Sequence, residues 1–120
     1  MRLRLALLDL VIYQGATFAL TLRLRDKARA APLDLGPRTA RMHIRARIAD
    51  PDPACALSTE DGRIAITAAE GLITLHLPAA VTAALTLPQG GVYDLELIDD
   101  QGGVDRILMG RVTLDPEVTR

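Results

Sequence analysis

The sequence predicts an all-β fold, an antiparallel sandwich of two sheets, and three observations carry that prediction. Apolar and polar side chains alternate over several runs, the period of a strand with one buried and one wet face. Clusters of Gly, Pro and Asp punctuate those runs at short intervals. The chain also closes on a hairpin. In Gly91-Val92-Tyr93-Asp94-Leu95-Glu96-Leu97-Ile98-Asp99, Tyr93, Leu95 and Leu97 point one way and Asp94 and Glu96 the other. Asp99-Asp100-Gln101-Gly102-Gly103 then turns the chain into another apolar strand.

Taken in order, Leu3 to Ile12 is mostly apolar and suits a first strand. Gln14-Gly15-Ala16 turns into residues 17–25, where Phe18, Leu20, Leu22 and Leu24 are expected inside and Thr17, Thr21, Arg23 and Arg25 outside. Asp26-Lys27-Ala28-Arg29 is a charged loop, and Pro32 to Pro37 a stiff connection, since proline fixes φ and removes a donor. Residues 38–48 alternate again. Ala40, Met42, Ile44, Ala46 and Ile48 are expected to be buried, with Thr39, Arg41, His43, Arg45 and Arg47 exposed; a helix would scatter the arginines round its cylinder. Asp50-Pro51-Asp52-Pro53 ends that strand.

Ile64 to Thr67 and Leu72 to Leu77 read as two short strands around Glu70-Gly71. Pro78 followed by alanines, Val81 and Thr82 predicts one short helix near residues 78–85. The Tyr93 strand and a last strand over residues 104–114 follow, then a short tail to Arg120. In the last strand Leu108, Val112 and Leu114 share a face with Gly110 between them. Ile107 and Met109 then fall on the other face, either covered by a loop or available to a subunit. About seven strands with regular turns is the pattern of an immunoglobulin-like sandwich, one domain over residues 1–120. Tyr93 is placed to act as a tyrosine corner.

Composition narrows the function classes. The 120 residues are 49% hydrophobic, enough for a core without staples. One Phe, two Tyr and no Trp argue against base-stacking and carbohydrate platforms. Cys55 is alone, so no intramolecular disulfide forms and a reducing cytosol suits folding. The basic, apolar start is broken by Asp9 and lacks a processing site, and no stretch is long enough to span a membrane, so a soluble, unprocessed chain is expected.

Catalytic readings find little support. Cys55 with His43 or His76 could form a thiol–imidazole pair, but no oxyanion loop flanks Cys55. The histidines lack neighbours at metal-ligand spacing, Asp50-Pro51-Asp52 and Asp99-Asp100 do not match a calcium loop, and no phosphate-binding glycine loop is present. The expectation is a protein without enzymatic activity, cofactor or metal.

The charge pattern carries more. Residues 1–50 have a net charge of +6 and residues 51–120 of −7, within a total of −1. Sheets mix distant segments, so this polarity either dissolves in the fold or becomes a basic and an acidic face suited to head-to-tail association or a charged partner. Arg41, His43, Arg45 and Arg47, with Arg23 and Arg25 expected on a neighbouring strand, form an exposed basic ladder. It reads as a solvated face that deters edge pairing or as a protein interface; the acidic total and scarce aromatics disfavour nucleic acid. The second candidate contact is acidic, with Asp94, Glu96, Asp99 and Asp100, and Ile107 and Met109 are apolar candidates.

The succession Ile12-Tyr13-Gln14-Gly15-Ala16-Thr17-Phe18, Pro32-Leu33-Asp34-Leu35, Thr39 to Arg45, Gly62-Arg63-Ile64, Gly71 to Leu75, Tyr93 to Leu97 and Gly110-Arg111-Val112 resembles small β-sandwich proteins of tailed bacteriophages and prophages. It is similar to the immunoglobulin-like domains at the N-termini of tail-fibre and baseplate-upper proteins, and Pro116 to Arg120 looks like the end of standalone members. Such proteins usually continue into a receptor-binding region, whereas this chain stops at Arg120. The resemblance therefore implies a standalone virion component, made in the host cytoplasm and homo-oligomeric in the particle, that binds other virion proteins at the baseplate or tail tip. A capsid decoration protein contacting the major capsid protein is the alternative, and a non-viral ligand-binding sandwich module the second.

Overall fold

The computed structural model describes residues 3–120. Among the described residues eleven strands, one 3-10 turn and one short α-helix follow one another: β1 (Ala6–Leu7), β2 (Leu10–Tyr13), β3 (Phe18–Arg23), β4 (Arg25–Asp26), β5 (Ala31–Pro32), β6 (Thr39–Arg45), β7 (Cys55–Ser58), β8 (Ile64–Thr67), the 3-10 turn (Ala68–Glu70), β9 (Leu72–Leu77), α1 (Ala79–Ala84), β10 (Gly91–Ile98) and β11 (Val104–Asp115). The fold is all-β, as expected, with two principal sheets. The larger runs β1-β11-β10-β6-β7, with β2 also paired to β11; the smaller runs β3-β9-β8, and β4-β5 form a two-stranded ribbon.

Most pairings are antiparallel, but β1 and β2 run parallel to β11. The expected first strand is thus two pieces of one edge, interrupted at Leu8-Asp9. Leu8 N–H still donates to Met109 O at 2.9 Å, and Asp9 Oδ1 accepts the Arg111 N–H at 3.0 Å, so the side chain continues the ladder where the backbone leaves it.

The alternation read from the sequence fills one core. Met42, Ile44 and Leu57 from β6 and β7, Leu95 and Leu97 from β10, and Ile64, Ile73, Leu75 and Leu77 from the smaller sheet join Ile12, Leu35 and Val112 in a single apolar cluster. Phe18, Leu20, Leu22 and Leu24 line its margin, half-buried. The helix is the short one expected, and its Thr82 is fully buried. The Thr82 hydroxyl accepts Gly15 N–H at 3.1 Å and donates to Ala16 O at 2.8 Å, tying α1 to the turn that carries the chain from one sheet to the other.

Two expectations about facing fail, each for a local reason. Ala46 and Ile48 are exposed, Ile48 at 83%. The strand ends at Arg45 because Asp50 closes a turn on it: Asp50 Oδ2 accepts Arg47 N–H at 3.1 Å, and Asp50 O accepts Arg45 Nη1 at 2.9 Å. Ile107, expected on the wet face, is buried at 6% exposure beside Leu108. The β10–β11 register pairs Leu95 with Leu108 but Glu96 with Arg106, so Ile107 is the extra residue of a β-bulge that turns it inward.

Tyr93 does not form a tyrosine corner. Its hydroxyl donates to the carbonyl of Leu8 across the sheet, far from the few residues upstream that such a corner uses. Gly110 makes room for that contact: a Cβ there would lie 2.1 Å from Leu8 O. Burial, with the Asp9 carboxylate adding to it, pushes the Tyr93 phenol up to about 12.

Candidate functional site

Outward-facing residues of β6, β10 and β11 lie in register and form three rows. Glu96 stands between Arg41 and Arg106, Asp94 between His43 and Met109, and Val92 between Arg45 and Arg111. Arg41 Nε donates to Glu96 Oε1 at 2.8 Å, and Arg106 Nε reaches diagonally to Asp94 Oδ2 at 3.4 Å. Arg45 Nη2 lies 3.2 Å from His43 Nδ1. These residues, with the exposed Ile48, line a shallow depression of about 610 Å³ whose floor is Val92 and Met109.

Charge on this face is uneven. Glu96 and Asp94 each hold an arginine, while Arg45 and Arg111 have no carboxylate in ion-pair reach among the described residues. The row around Val92 is therefore the positive end of the depression. At the other end of the same strands the Asp99–Gly103 turn projects. Asp99 Oδ1 accepts the N–H groups of Gln101 at 2.9 Å and Gly103 at 2.8 Å, so its carboxylate shapes the turn and leaves Asp100 exposed at the tip.

The placement corrects the two-contact reading. Asp94 and Glu96 share a face with Arg41, His43 and Arg45, as alternate rungs of one ladder. Arg23 and Arg25 are not neighbours of that ladder: Arg23 ends β3 in the smaller sheet, and Arg25 pairs with Pro32 in the ribbon, its Nη2 donating to Ala30 O at 3.0 Å. Arg47 lies in the loop beyond β6, Met109 is on the outer face as expected, and Ile107 belongs to the core.

Sequence reasoning missed Arg106 and Arg111. Strict alternation from Leu108 puts Arg106 inside; the bulge at Ile107 restores it to the outer face, and the adjacent apolar pair Ile107-Leu108 is the signal for that bulge. Arg111 follows from the same alternation that places Met109 outside, and was readable.

Cys55 and the histidines do not meet. Cys55 faces the core from β7, His43 faces outward from the adjacent strand, and His76 faces outward from the smaller sheet. Burial pushes the Cys55 thiol up, against an opposing pull from Arg63. Among the described residues no group of three or more His, Cys, Asp or Glu is placed to hold a metal ion. Neither protein-family models nor curated proteins match this chain.

Proposed function

We propose that this chain is an immunoglobulin-like sandwich that serves as a structural component of a tailed-phage or prophage virion, acting by protein–protein binding at the baseplate or tail tip and catalysing no reaction. The strand order supports the immunoglobulin-like part of the reading. The first strand divides into pieces that run parallel to the last, which is followed across the sheet by the penultimate strand and β6, opposite a β3-β9-β8 sheet. The rhythm of strands and turns that resembles phage sandwich domains supports the virion setting.

The observation that carries the binding role is the outer face of the larger sheet. It presents Arg41 and Arg106 paired with Glu96 and Asp94. Beside them, on either side of Val92, stand Arg45 and Arg111, without a carboxylate in ion-pair reach among the described residues. Arginines left over beside an apolar side chain are of the kind enriched where proteins meet. A rigid sheet holds those side chains at fixed spacing, and repeated copies in a particle allow each contact to be weak.

Quantitative mass spectrometry of purified particles, with copy number scaled to the major capsid protein, tests the reading. A few to a few dozen copies per particle is the expected result. Hundreds would move the protein to the capsid as a decoration protein, and its absence from particles would overturn the virion reading.

A further inference from the structure

We infer that the positive end of this face, the notch made by Arg45, Val92 and Arg111, receives the acidic end of a second copy, so that chains associate head to tail. This deepens the reading of the outer face as a binding surface and rests on it. The two arginines stand on β6 and β11 with β10 between them, about 10 Å apart at the backbone, and the valine leaves the space between them apolar. Exposed Ile48 lines the same notch. Neither guanidinium has a carboxylate partner among the described residues.

The complementary pole is on the same molecule. Six residues further along β10, about 20 Å away, the strand ends in the turn that exposes Asp100. Glu60, just past the end of β7, is exposed near that end; Thr59 before it donates its N–H to Ala40 O, and Ala40 pairs with Leu97. Neither Asp100 nor Glu60 has an ion-pair partner among the described residues. Two unmatched cations at one end of a sheet and two unmatched anions at the other fit a heterologous contact, in which one copy's acidic end meets the next copy's basic notch. Such a contact repeats in one direction, giving a ring if the rotation closes and a filament if it does not. The poles do not follow the two halves of the sequence: the notch joins Arg45 from the basic first half to Arg111 from the acidic second half, and the acidic end takes Glu60 and Asp100 from the second.

Sedimentation of the full chain over a range of concentrations, at about 20 mM and about 500 mM salt, tests this. The expected result is concentration-dependent association at low salt that high salt abolishes. Arg111→Glu and Asp100→Arg each weaken it by about tenfold or more. Both sites are exposed, so folding, checked by thermal midpoint, is retained. Mixing the two variants restores association, because each then meets the opposite charge, and the double variant restores it too. A monomer under all conditions, or association that ignores both substitutions, overturns the inference. A monomer here combined with presence in particles removes the second-copy partner and leaves the virion reading standing. Association here combined with absence from particles supports the head-to-tail contact and removes the virion setting.

Discussion

On the outer face of the smaller sheet the cross-strand neighbours are Ala19 with His76, Thr21 with Thr74, and Arg23 with Leu72. On the outer face of the larger sheet they are Glu96 between two arginines, Asp94 beside His43, and Val92 between two more arginines. Inward, both sheets offer the same leucines and isoleucines to one core. A strand face in this molecule can therefore meet water with threonine, alanine, a leucine, a histidine and a single arginine. The ladder on the other side is more densely charged, and within it Arg45 and Arg111, which have no carboxylate in ion-pair reach among the described residues, are the physical ground for proposing a contact there.

What the two sheets share is the core between them. Leu95 of the larger sheet and Leu75 of the smaller are both fully buried, so Leu95→Ala and Leu75→Ala should each cost about 2–5 kcal/mol. Urea unfolding measures both; a loss under about 1 kcal/mol at either would show that the two inner faces are not one core. Thr82→Val comes next. It removes the hydroxyl that ties α1 to the crossover between sheets and leaves the Gly15 N–H without its acceptor, for an expected loss of about 1–3 kcal/mol. An unchanged midpoint would mean the two sheets hold together without that tie.

Legibility in the sequence followed the same division. The alternation at Phe18 to Leu24, at Ala40 to Ile44 and along β10 appears in the structure because one buried face enforces a period of two. The short helix was readable from Pro78 and its alanines. The failures occur where something other than period sets the facing. Ile107 turns inward at a bulge, and Ile48 is thrown outward by the turn that Asp50 closes on Arg47. Strand partnership was the least legible property. Alternation fixes which way a side chain faces within its strand and says nothing about which strand lies alongside. Arg23 and Arg25 were accordingly assigned to the wrong neighbour, and Asp94 and Glu96 to a separate contact.

Tyr93→Phe removes the tie between β10 and the Leu8 carbonyl at the edge of the larger sheet. Loss of the hydroxyl should cost about 1 kcal/mol at neutral pH, and hydrogen exchange at Leu8, whose carbonyl it holds, should rise. The pH dependence has a definite sign. Folding raises the phenol from its ordinary 10.0 to about 12, so the folded state holds the proton more tightly. Its contribution is fully present below pH 10 and is lost as pH climbs toward 12, on the order of 2 kcal/mol across that window. The wild-type midpoint should therefore fall more steeply than that of the phenylalanine variant between pH 10 and 12. Parallel curves would show that the phenol titrates normally in the folded protein.

The smallest expected effect bears most directly on why the two outer faces differ. Arg41 and Glu96 make the shortest ion pair of the ladder, but the arginine side chain is 54% exposed, so solvent and salt screen it. A double-mutant cycle with Arg41→Ala and Glu96→Ala should return a coupling of about 0.2–1 kcal/mol. The same cycle on Thr21 and Thr74, neighbours across the smaller sheet, should return a similar value. Equal couplings would mean that the charged face adds no more to folding than the neutral one, so that its charges act outward, in deterring edge pairing or in contact with a partner. A coupling of several kcal/mol at Arg41–Glu96 would instead make the ladder part of what holds the sheet together, and the case for an interface would then rest on Arg45 and Arg111 alone.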